Sequence, residues 1–165
     1  MERDTKALLV GGLLLIGAAF GFTKARPDLS QSSSVLARVH AGPRGAVVIL
    51  FSPADCGTLL ESLRLWNRAS EQRQVAVHAF VYDAEGRGDA MNKVVRGAAL
   101  RFPVEPVGRT EAGAFRASLG YRGGSLVALL DPDGRVRYTV PLEALDSPGK
   151  RAHVLEMAEG LRQLR

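Results

Sequence analysis

The stretch VVILFSPADCGTLLES, residues 47–62, decides how this chain is read. It opens within an apolar run, Ala46–Phe51, of strand length and with no polar alternation. A run of that kind suits a strand covered on both faces, at the centre of a sheet with parallel neighbours. Ser52, Pro53, Ala54 and Asp55 break the run. Beyond them Leu59, Leu63 and Trp66 recur at helical spacing with Leu60 alongside, so a helix is predicted over 57–72 with Trp66 in its core face. Cys56, the only cysteine in the 165 residues, stands at the junction of loop and helix.

Downstream, VAVHAFVY (75–82) reads as a second buried strand. After the loop DAEGRGD, Asp89 is a candidate cap for a helix whose face is Met91, Val94, Val95, Ala98 and Phe102. FPVEPV (102–107) is short and bounded by proline, an edge strand at most. Thr110 is expected to cap a brief helix that Gly120 ends. SLVALL (125–130) is a third clear strand, DPDG (131–134) a turn, and RVRYTV (135–140) an alternating, antiparallel outer strand. Ser147-Pro148 opens the last helix, with Val154, Leu155, Ala158 and Leu161 facing inward. Strands separated by helices must run parallel, and the hairpin adds an antiparallel strand. The expected class is α/β, a mixed sheet with helices on both faces.

Upstream, residues 7–22 (ALLVGGLLLIGAAFGF) carry no charge. As a helix they would span roughly 24 Å, a little under the hydrocarbon thickness, and snorkelling by Lys6 and Lys24 would close the gap. The segment is read as a transmembrane signal anchor with the domain outside the cytoplasm. A cleaved signal peptide, with small residues near Ala19 and Gly21, is the competing reading, and the flanking charges do not fix the orientation. GAAFG (17–21) matches the small-residue pattern of pairing membrane helices, so a dimer through this helix stays open. The expected division is 1–22 anchor or signal segment, 23–44 flexible tether, and 45–165 a single domain.

Composition narrows the function. A net charge of +5 is spread over scattered arginines with no basic arm, so no nucleic-acid partner is expected. A single cysteine rules out an internal disulfide and any multi-cysteine zinc site. His78 has no ligand at useful spacing and reads as a strand histidine; His40 and His153 read as surface residues. Asp83, Glu85 and Asp89 do not follow a calcium-loop pattern, Asp131 and Asp133 are explained by the turn, and GYRGG (120–124) does not open a helix as a phosphate loop must. No cofactor and no metal are expected.

With the order of elements, VVILFSPADCGTLLESL and LGYRGGSLVALLDPDGRV (119–136) resemble the thioredoxin-like superfamily, in particular its membrane-anchored extracytoplasmic branch that includes the cytochrome-maturation thioredoxins. The likeness covers about residues 45–164. It implies a thioredoxin-like mixed β-sheet flanked by helices, and a site at Cys56, the first position of the family's two-cysteine motif. The departures are central ones. Leu59 stands at the second cysteine, Asp55 where tryptophan is frequent, and Ser125, after Gly124, where the family has a cis-proline facing the reactive sulfur.

A thiolate at a helix N-terminus is favoured by the backbone N–H groups, and the neighbouring Asp55 opposes it, so the net direction stays open. Such a thiolate can attack a disulfide to form a mixed disulfide, and Leu59 cannot resolve it. A dithiol turnover by this chain alone is therefore excluded by its cysteine count. Two readings remain. In one, Cys56 is a monothiol nucleophile, Ser125 lines its site, and an extracytoplasmic protein partner is engaged through a mixed disulfide. In the other, the domain is a redox-inactive interaction module. An intermolecular disulfide through Cys56 is a third outcome. A one-cysteine peroxidase is the weaker enzymatic reading: the threonine that peroxiredoxins carry three residues before the cysteine is here Pro53, and nothing marks Arg116 or Arg122 as the activating arginine.

Overall fold

A computed structural model describes residues 23–24, 33–54, 56–73, 75–83, 95–97, 99–142 and 147–160, apart from the side chains of 23–24, 56–58, 72–73 and 159–160. Along the chain come β1 (Thr23–Lys24), α1 (Ser34–Ala37), β2 (Ala46–Phe51), α2 (Cys56–Arg73), β3 (Ala76–Tyr82), β4 (Val104–Val107), α3 (Arg109–Ser118), β5 (Leu126–Leu130), β6 (Val136–Pro141) and α4 (Pro148–Gly160). The strands form one six-stranded sheet in the order β1-β6-β5-β2-β3-β4.

β2 lies inside this sheet, as its unbroken apolar run requires. It pairs parallel with β3 and antiparallel with β5, and every one of its residues is buried. The strand period of two divides those residues between two cores. Val47, Ile49 and Phe51 pack with Leu59, Leu63 and Trp66 of α2 and with Val154 and Ala158 of α4. Ala46, Val48 and Leu50 pack on the other face with Val35 of α1 and with Ala112, Phe115 and Leu119 of α3. Each large side chain fully buried this way contributes about 1.5–3 kcal/mol of transfer free energy. The mixed α/β sheet with helices on both faces is thus as expected, but β5, which follows α3 and was expected to run parallel, is antiparallel to β2.

The helix ends follow from local chemistry. The Ser147 hydroxyl accepts from the Lys150 N–H at 3.4 Å at the start of α4. Gly120, at φ 65°, terminates α3. The Tyr121 N–H donates to the Arg116 carbonyl at 2.9 Å and the Gly120 N–H to that of Ala117 at 3.0 Å, the paired pattern of a Schellman stop. In the DPDG turn Gly134 takes φ 77°, and its N–H donates to the Asp131 carbonyl at 2.9 Å.

Some expectations are corrected. Thr110 does not cap α3; the N-cap is Gly108, which has no side-chain bond to give, and Glu111 supplies the acid of the first turn. The alternating strand β6 is not outermost, because β1 pairs with it antiparallel, Thr23 opposite Thr139. Phe102 is buried but lies in a bend rather than a helix. β4 is an edge strand as expected, paired parallel with β3 on one side only, and Pro106 within it is exposed. Val35, within the stretch expected as tether, is fully buried. Among the described residues no helix is long and apolar enough to cross a membrane. Segment 7–22, residues 25–32 of the expected tether, Asp55 and the proposed cap Asp89 lie outside those residues.

Candidate functional site

The Cys56 backbone is the first residue of α2, directly beyond the loop that leaves the C-terminal end of β2. No acidic residue lies in the first turn of α2. The first N–H groups of a helix have no partner within the helix, and with the helix dipole they favour negative charge at its mouth. The contacts of the Cys56 sulfur lie outside the described residues.

Ser125 is brought to the same end of the sheet. It lies just before β5, the antiparallel neighbour of β2, and is only 2% exposed. Its hydroxyl accepts a hydrogen bond from the Ser52 backbone N–H at 3.0 Å. Ser52 is itself buried, and its hydroxyl accepts from the Ala54 N–H at 3.3 Å. The turn before β5 is thus tied to the loop that carries the chain from β2 to Cys56. On the other side, the Ser125 carbonyl accepts from the Tyr121 hydroxyl at 3.3 Å and from the Leu142 N–H at 3.1 Å. No cis peptide occurs among the described residues, as the ordinary secondary amide before a serine demands.

Leu59, where the resemblance puts a second cysteine, is fully buried in the core that α2 shares with β2. Its position is given over to packing. Arg116 is spent in part on Tyr82: it donates to the phenol oxygen at 3.1 Å, with the guanidinium 4.9 Å from the ring centroid. Arg122 is exposed. His78 points its Nε2 at the His40 carbonyl at 3.3 Å, and among the described residues no group of acids, histidines and cysteine could hold a metal ion.

Sequence reasoning named Ser125 by its place ahead of the DPDG turn and missed Ser52 and Tyr121, which bond to it. Ser52 had one visible sign, a hydroxyl directly after a strand with no polar residue. Tyr121 had none, because its role depends on where the Schellman stop aims the chain.

No protein-family profile matches the chain, and no curated protein matches it. Solved structures do. A thioredoxin-like protein in its oxidised form superposes with a TM-score of 0.55 at 10% identity, covering 85% of this chain and 95% of its own. A secreted thiol-disulfide isomerase from Corynebacterium glutamicum gives 0.52 at 20%, covering 72% and 71%. A thiol:disulfide interchange protein of the thioredoxin family from Chlorobium tepidum gives 0.52 at 15%, covering 72% and 83%. The fold of this chain is thioredoxin-like.

Proposed function

We propose that this thioredoxin-like domain takes part in thiol–disulfide exchange through the single thiol of Cys56, with an extracytoplasmic protein as its partner, and that residues 7–22 anchor it to the membrane. The supporting observation is the 3.0 Å hydrogen bond from the Ser52 N–H to the Ser125 hydroxyl, which fixes the turn before β5 against the loop leading to Cys56. The secreted relative from Corynebacterium glutamicum supports the extracytoplasmic placement.

The chemistry has one step that the chain performs and one that it cannot. The Cys56 thiolate attacks one sulfur of the partner's disulfide. A new S–S bond forms as the old one breaks, and the partner's other sulfur leaves as a thiolate that takes a proton from water. Release needs an external thiol, which attacks the mixed disulfide and leaves Cys56 free again. A buried leucine at position 59 gives the chain no sulfur with which to do this itself.

The test is to incubate the full chain in detergent with oxidised glutathione and weigh it. One glutathione per chain, removed by dithiothreitol and absent from Cys56→Ser, is expected. A thiol that forms no adduct until the chain is denatured sinks the exchange reading. It leaves the redox-inactive interaction module, which the loss of both the second cysteine and the proline position favours.

A further inference from the structure

Beside the Ser125 turn runs an open cleft of about 570 Å³, formed by the C-terminal half of α3 and the chain that follows it. Arg116, Tyr121 and Arg122 line it with Gly113, Gly120 and Gly123. The size is that of an ordinary ligand site. Its chemistry is one-sided: two guanidinium groups and no carboxylate. Among the described residues Arg116 bonds the Tyr82 hydroxyl and meets no carboxylate, and Arg122 has no ion pair or hydrogen bond. Four other arginines do meet acids, Arg38 with Glu105 and Glu111, Arg101 with Glu71, Arg137 with Asp131 and Arg151 with Glu61, whereas no carboxylate lines the cleft.

Open space borders two of the lining glycines. A Cβ at Gly113 would meet nothing within 4 Å, and neither would one at Gly120. Gly123 is different: a Cβ there would lie 2.5 Å from the Tyr121 hydroxyl, the same hydroxyl that holds the Ser125 carbonyl. The cleft and the Cys56 end of the sheet therefore share a wall.

We infer that this cleft receives an acidic side chain of the partner polypeptide while another part of that polypeptide lies over the Ser125 turn. The inference rests on the exchange reading for its partner and adds the chemistry by which the partner is selected. A polypeptide carboxylate fits better than a compact free anion. The cleft lies at the C-terminal end of α3, where the helix dipole is negative and disfavours a dianion more than a singly charged carboxylate. A carboxylate on a chain can face the guanidinium forks and stay clear of that end. Exposed residues 122–124 offer backbone for the rest of the chain to lie against.

The experiment uses the full chain in detergent as Cys56→Ser, so no sulfur chemistry contributes and the result is independent of the thiol test. Calorimetry compares two blocked peptides, Ala-Glu-Ala-Ser-Ala-Glu and the same sequence with glutamine for both glutamates, alongside inorganic phosphate. The acidic peptide is expected to bind about fivefold or more tightly than its amide twin, with the preference shrinking as salt is raised. Arg122→Gln should remove most of the preference, whereas Arg64→Gln, the same charge change on exposed α2 surface, should leave it intact. Gly113→Leu fills the cleft from a helix position with open space around it and should abolish the preference without harming the fold. Equal binding of the two peptides, phosphate binding as tight as that of the acidic peptide, or an unaltered preference in Gly113→Leu would each overturn the inference.

Discussion

Glu111 shows how one side chain fastens the start of the domain to its middle. The Ser34 hydroxyl donates to its carboxylate at 2.7 Å, and Arg38 donates a second bond while its guanidinium lies 5.3 Å from the Phe80 ring centroid. The Ser34 bond is the largest influence on the acid; burial opposes it, Arg38 adds to it, and the pKa falls below its ordinary 4.5. A carboxylate with a lowered folded pKa stabilises the fold above its unfolded value and loses that contribution as pH falls through the folded one. The stability gap between the native chain and Glu111→Gln should therefore be full near neutrality and close progressively below about pH 4.5. Urea titrations at several pH values measure it, and a gap that widened in acid would contradict the assignment. None of this was legible in the sequence, because Ser34 and Glu111 stand 77 positions apart. The same separation hides the Ser52–Ser125 bond, across 73 positions.

Among the elements, α2 was the most legible. Its buried residues recur at the helical period, and the structure moves its start by a single residue, to Cys56. β2 was read to its ends, because a six-residue apolar run between a glycine and a serine has few other fates. The misreadings lie where pairing is non-local or where a glycine does a hydroxyl's job: β1 against β6, and Gly108 in place of Thr110. Leu59 gives α2 its prediction. Leu59→Cys would restore a second thiol one turn along from Cys56, at a cost in packing of about 1–3 kcal/mol. Treated with oxidised glutathione, this variant should shed the adduct and keep an internal disulfide, whereas the native chain retains its glutathione. Mass spectrometry separates the two, and an adduct that persists on Leu59→Cys would show that the first turn of α2 does not bring the two sulfurs together.

Across the whole molecule, β2 is a wall common to both cores, contributing alternate residues to each. Neither core can be lost while the other keeps its shape, so unfolding should be a single event. Trp66, fully buried in one of the two cores, reports on that core by fluorescence, and far-ultraviolet circular dichroism reports on the sheet and helices together. The two curves should coincide in urea. An early fluorescence change with the backbone signal intact would mean that the faces melt separately. The margins of the sheet carry one more consequence. β4 places Pro106 in its ladder, where no N–H exists to donate. Lateral growth of the sheet by an incoming β-segment is blunted at the β4 flank, so that edge resists stacking into fibres with copies of the molecule.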